Sequence, residues 1–197
     1  MKKIRDYLLE GFLIVFSVLF ALFIENYVEN LKTQKQKKLA LERIRMEVER
    51  NSQILSDWIS LHQKISNRIG KSTSGESDSL RNALLKYTSF NFGVLTDGKQ
   101  VVNTILTNTA WETAKSTGII AEFDFESIEN LTQVYSLQNT VTNTTLQSII
   151  QLYFDEGSHD MKRLDITLKQ LDIRFHELVG QERVLANAYQ STLLRFK

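Results

Sequence analysis

Glu156-Gly157-Ser158-His159 places a carboxylate and an imidazole three residues apart. On a helix, that Glu-x-x-His spacing projects both groups toward one side of a di-iron centre. Such a centre needs two of these elements and two further glutamates. Here there is one element, it contains Gly157, and it falls where a helix should break, so it reads as a polar inter-helix loop. The other two histidines are His62, inside a run of apolar residues at helical spacing, and His176, next to Phe175 in a second such run. Imidazoles at such positions read as packed or edge residues before they read as metal ligands or pH sensors. Trp58 and Trp111 read as core anchors rather than the walls of a ligand cage.

Serine and threonine are plentiful, but no Gly-x-Ser-x-Gly elbow, Gly-rich phosphate loop or His-Glu-x-x-His accompanies them. Asp97-Gly98-Lys99 is a turn, because the alternating acidic ligands of a calcium loop are missing. The sequence therefore leads us to expect no catalytic residue, no cofactor and no metal, and the chain reads as a non-enzyme. A formal net charge of +1 argues against a broad nucleic-acid-binding surface. With no cysteine there is neither a disulfide framework nor a thiolate metal site.

The elements that must position these residues are helices. Proline is absent, whereas ordinary usage of about 5% would give about ten. Proline breaks helix interiors, so its absence suits a chain of long helices. Leu41, Ile44, Val48, Asn51, Leu55, Trp58, His62, Ile65 and Ile69 hold strict 3-4 spacing, the seam of a helix packed lengthwise on another. Gly70 is the expected C-cap, and 71–79 (KSTSGESDS) the loop beyond it.

The end of the chain repeats the pattern with Met161, Leu164, Leu168, Leu171, Phe175, Leu178, Glu182, Leu185, Tyr189, Thr192 and Phe196, after a cap at Ser158 or Asp160. Two such seams are best satisfied by each other, which makes the helices antiparallel. The rival is a parallel homo-oligomeric coiled coil through either seam. Between them we expect a short helix over 79–89, a loop over 90–99 and one or two helices over 101–118. Asp124 then caps a helix to about residue 155, with Ile128, Leu131, Tyr135, Leu146, Ile149 and Tyr153 inward. Its centre, 138–145, is rich in Asn, Thr and Gln, which points to a kink or polar contact. The fold class is all-α: an N-terminal transmembrane helix continuing into an elongated antiparallel helical bundle with long first and last helices.

The transmembrane assignment rests on fourteen uncharged residues, 11–24 (GFLIVFSVLFALFI), of which eleven are Phe, Leu, Ile or Val. Alone they reach about 21 Å, short of the roughly 30 Å hydrocarbon core; extended over 7–28 the helix reaches about 33 Å. Tyr7 and Tyr27 then stand at the two interfaces. A cleaved signal peptide would need small residues before the cut, but a cut after Ala21 puts Leu19 at the other small-residue position. A buried core helix would not be apolar on every face. Phe12, Phe16, Phe20 and Phe23 form a ridge beside Ser17-x-x-x-Ala21, a small-residue pair where a second helix could approach; lipid contact is the simpler account of the ridge.

Residues 1–28 are thus the anchor, 29–38 a basic juxtamembrane stalk and 39–197 the bundle domain, with 70–157 carried about 45 Å out along the seams. Lys2, Lys3 and Arg5 before the span nearly balance Lys32, Lys35, Lys37 and Lys38 after it, so the side of the domain stays open. The short basic amino-terminal tail favours an extracytoplasmic domain.

Tyr7-Leu8-Leu9-Glu10-Gly11, Ala21-Leu22-Phe23-Ile24-Glu25-Asn26 and the Lys-rich helix beyond resemble an uncharacterised family of small single-pass bacterial membrane proteins that carries a domain-of-unknown-function label. In that family a Glu precedes a short transmembrane helix ending in a polar patch. Residues 110–118 (AWETAKSTG) resemble a Trp…Ser/Thr-Gly helix end found in it. The resemblance covers about the first 55 residues and this nonapeptide, and it implies location and architecture without transferring a catalytic residue. The functional expectation is a membrane-anchored helical scaffold or protein-interaction module. Its partners are the lipid bilayer and a protein or a second copy of itself, not nucleic acid. The alternative is a ligand-sensing bundle that relays a shift to a membrane partner.

Overall fold

The computed structural model describes residues 2–196, with side chains from residue 8. Tyr7, Lys2, Lys3 and Arg5 therefore lie outside the described side chains. Among the described residues seven α-helices follow in order: α1 (Lys2–Thr73), α2 (Ser79–Leu84), α3 (Phe92–Thr96), α4 (Thr109–Ser116), α5 (Phe125–Thr140), α6 (Gln147–Phe154) and α7 (Leu164–Arg195). The protein is all-α, and its long first helix packs against its long last one.

The chain divides into two compact units. The first comprises Met1–Ile44 and Ala110–Asp124. Its buried side chains are Ile44, Trp111, Ala114 and Phe123. Lys115 pairs with Glu112 at 2.8 Å and lies 5.7 Å above the Trp111 ring. Gly118, at φ 74°, stops α4 in the left-handed conformation that glycine adopts without steric cost.

The second unit, Arg45–Thr109 and Phe125–Lys197, holds most of the core. Val48, Leu55, Ile69, Leu171, Phe175, Leu178 and Leu185 are fully enclosed. Each such side chain contributes about 1.5–3 kcal/mol over its exposed state. Contacts along α1 and α7 fix their relative direction. Arg183 donates to Gln63 at 2.6 Å, and the Thr73 hydroxyl donates to Asp172 at 3.0 Å. Numbers rise on one helix as they fall on the other, so the pair is antiparallel.

Several boundaries differ from expectation. Helix α1 does not stop at Gly70 but runs to Thr73, because Ser74 N still donates to the Gly70 carbonyl and Thr73 gains Asp172 as a partner. Within 90–99, expected as a loop, Asn91 caps the short helix α3 and accepts from Val94 N. That helix ends in Asp97 and Gly98, both at positive φ, as a turn requires. Over 101–118 there is one helix, α4, and residues 99–108 are an irregular strap. The last helix begins at Leu164, after two 3-10 turns capped by Asp155 and Asp160.

The Asn/Thr/Gln-rich centre of the fifth helix is a π-helical turn, Val141–Leu146, between α5 and α6. Thr140 and Thr142 hydroxyls bond back to the Ser136 and Gln138 carbonyls, which competes with regular helix bonding. The widened turn buries Thr145, whose hydroxyl donates to Gln181 of α7 at 2.5 Å. Tyr153, expected inward, is exposed.

Candidate functional site

Polar side chains inside the α1–α7 seam converge on the strap. Asn51 of α1 is fully buried and treats Thr107 as a neighbouring peptide. Its Nδ2 donates to the Thr107 carbonyl at 2.6 Å, and its Oδ1 accepts from Thr107 N at 3.0 Å. Gln138 of α5 also donates to that carbonyl, at 3.1 Å. The Gln138 oxygen accepts from Asn51 and from the Tyr189 hydroxyl, at 3.2 and 2.6 Å. Burial pushes the Tyr189 phenol up, so it remains a neutral donor. One turn earlier in α1, Glu47 accepts from the Tyr135 hydroxyl at 2.7 Å. Burial, and then the carboxylate itself, push that phenol up as well.

The second hold on the strap is His62. Its Nε2 lies 2.8 Å from the Val101 carbonyl and its Nδ1 2.6 Å from Glu182 Oε1 of α7. Both side chains are fully buried. A carbonyl only accepts, so Nε2 carries a hydrogen and donates it. Two lone pairs would repel at 2.6 Å, so one further proton lies between the imidazole and the carboxyl. Whichever group holds it, the pair is neutral overall. Burial raises the Glu182 carboxyl above its ordinary range, while the imidazole contact pulls it back down. Glu182 Oε2 and Trp58 Nε1 are buried without a hydrogen-bond partner in the structure. The Trp58 and Phe175 rings flank the imidazole, each with its centroid 6.0 Å away.

A third hold comes from Arg68, whose Nη1 donates to the Val94 carbonyl at 2.8 Å and pairs with Asp97. It thereby binds the C-terminal end of α3. Arg68 and His62 thus fix the chain on either side of Gly98-Lys99-Gln100. Those three residues line a groove of about 390 Å³ together with Ile149, Ile150 and Tyr153 of α6. Phe92 and Tyr153 meet edge to face with centroids 4.6 Å apart, in a chain of aromatic contacts that continues to Phe90, Phe154 and His159.

The seam residues named from the sequence lie as follows. Ile44, Val48, Leu55, Trp58, Ile65, Leu164, Leu168, Leu171, Phe175, Leu178 and Leu185 are buried, and Leu41 is half-buried. In the apolar stretch, Phe12, Phe16, Ser17, Phe20, Ala21, Phe23 and Tyr27 are exposed. Phe12, Phe16 and Phe20 stack in sequence with centroids 6.3 and 6.1 Å apart, and Ser17 bonds back to the Leu13 carbonyl.

Glu156 and His159 stand on a 3-10 turn, where His159 Nε2 contacts the Tyr153 carbonyl at 2.7 Å. A Cβ at Gly157 would come within 2.6 Å of the Arg163 guanidinium, the mobile end of a long side chain that would have to shift. His176 is exposed. Among the described residues no three of His, Asp and Glu come together as metal ligands would. The sequence reading had not drawn Val101, Thr107 and Gln138 into a site. Asn51, His62 and Glu182 were visible only as polar interruptions in apolar seams. The arrangement can hold a strap and share a proton. In comparisons with known proteins, no family model, no curated protein and no solved structure matches the chain.

Proposed function

We propose that the chain is a membrane-anchored α-helical scaffold or protein-interaction module without catalytic activity. One observation carries this reading: near its start, α1 includes 18 residues of mean hydropathy 2.3, none of which is buried. A core helix of a soluble protein would bury such a stretch; here Leu8 through Ile24 turn apolar side chains outward on every face. A single pass through a bacterial inner membrane covers them, and Tyr27 stands where an interfacial ring is favoured. The same helix, α1, later supplies the seam that packs on α7.

Several side chains in that seam are polar, buried and paired at fixed levels. Sliding the helices would strand them unpaired at a cost of about 1–3 kcal/mol each. A fixed register suits a scaffold that presents surface to a protein partner or a second copy. Alkaline extraction and flotation of membranes carrying the full chain test the reading, together with the mass of the mature protein. Retention in the bilayer at full length is the expected result. Release into the soluble fraction, or loss of the first two dozen residues as a cleaved signal, would overturn it. Reporter fusions to the C-terminus, one active inside and one outside, then assign the side of the domain.

A second reading, a ligand-sensing bundle that relays a shift to a membrane partner, is favoured by the proton-sharing His62–Glu182 pair on the strap. Strap and seam are joined there by side chains that depend on one another for their protonation.

A further inference from the structure

The groove between the strap and α6 stands apart from the membrane reading and does not depend on it. Its walls are Phe92, Val101, Ile149, Ile150 and Tyr153, an apolar and aromatic lining, and among the residues lining it Lys99 alone is charged. Its volume, about 390 Å³, lies at the small end of ligand pockets, which run roughly 300–1,000 Å³. The lining is also held in place beforehand. Arg68 fixes the chain before Gly98, His62 fixes Val101, and Tyr153 meets Phe92 edge to face. A groove already in its binding shape loses little freedom when it is filled. Apolar walls with one ammonium select a molecule with an apolar body and one negative charge. Lys99 is exposed at the rim, where one anionic group gains a charge-assisted contact that a neutral molecule lacks, whereas a multiply charged molecule would place further anions against Phe92 and the two isoleucines.

We propose that this groove binds a small, water-dissolved amphipathic monoanion, an aryl or short alkyl carboxylate, with Lys99 as its counter-ion and Phe92 and Tyr153 against its apolar body. The small volume excludes a diacyl lipid from the body of the site.

The probes are 4-phenylbutyrate and its uncharged amide, titrated calorimetrically against the full chain in nanodiscs, with empty nanodiscs as the blank. We expect saturable binding of the acid about fivefold tighter than of the amide, the gain that a partly exposed charge-assisted contact provides. Lys99→Gln should reduce acid binding to the level of the amide. Ile150→Trp, which fills the groove from a half-buried position, should remove binding of both while the helical circular dichroism stays unchanged. Lys169→Gln, an exposed residue of α7 that does not line the groove, should leave both affinities unaltered. Equal affinity for acid and amide in the parent chain would overturn the proposal. So would undiminished binding in Ile150→Trp, or no binding above the blank. Displacement of the acid by raising the anionic lipid content of the disc would assign the groove to a headgroup instead, and would also overturn it.

Discussion

His62 Nδ1 lies 2.6 Å from Glu182 Oε1, and neither side chain reaches solvent. The contact exists only while the pair retains a proton. Burial raises the folded Glu182 carboxyl above its ordinary value of about 4.3. A raised folded value means that its contribution to stability is complete below the ordinary carboxyl range and is lost as pH rises through the folded value. The melting temperature should therefore decline as pH rises through the value at which the folded pair gives up its shared proton. Glu182→Gln should flatten the decline, since an amide can donate to Nδ1 at any pH while His62 Nε2 continues to donate to Val101. Thermal melts of both proteins from pH 4 to 9 provide the check, and parallel curves would rule out this origin.

Asn51 also attaches the strap, and its two bonds to Thr107 are both to backbone. Asn51→Ala leaves the Thr107 N–H and carbonyl with fewer partners, at an expected cost of about 1–3 kcal/mol by chemical denaturation. Amide exchange should quicken at Thr107 well before it does at seam residues such as Leu171. Uniform acceleration along the chain would mean that Asn51 supports the whole bundle rather than the strap.

These two residues also show how far the sequence could be read. The 3-4 spacing of Leu41 to Ile69 and of Met161 to Phe196 was plain, because a helix repeats its buried face every three or four residues whatever its partner. Antiparallel pairing followed from chain order. That pairing, carried one step further, sets the polar interruption at His62 opposite the one at Glu182, but register is a property of two helices together and no local pattern prints it. The strap was less legible still. Val101, Val102, Ile105 and Leu106 look like part of a helix, and side chains 31 to 56 positions away, those of His62, Asn51 and Gln138, supply hydrogen bonds that let this backbone remain irregular. The π turn was half legible, since the Thr-rich composition pointed to a disturbance but not to its kind.

Leu168 is buried in α7, whereas Ile173 in the same helix is exposed. An aspartate at 168 would place an unpaired charge in the seam, beyond what a marginally stable domain tolerates. We expect Leu168→Asp to lose cooperative unfolding and Ile173→Asp to shift stability by no more than about 0.5 kcal/mol. Differential scanning calorimetry of both, in the same detergent, separates them. A normal transition in Leu168→Asp would argue against the packed seam.

The apolar stretch makes the opposite demand on the chain. Leu8, Phe12, Phe16, Phe20 and Phe23 are each more than half exposed. Deleting residues 1–28 therefore removes no buried side chain among those described, and helix α1 retains its seam from Ile44 to Ile69. The shortened protein should leave the membrane fraction entirely and unfold within a few degrees of the full chain, while keeping its helical circular dichroism. Should part of it still float with vesicles, the outward-facing apolar residues 8–28 would not be the sole attachment, and a second lipid-contacting surface would have to be sought on the bundle itself. Exposed Phe125, Phe154 and Ile105 are the first residues to replace in that search.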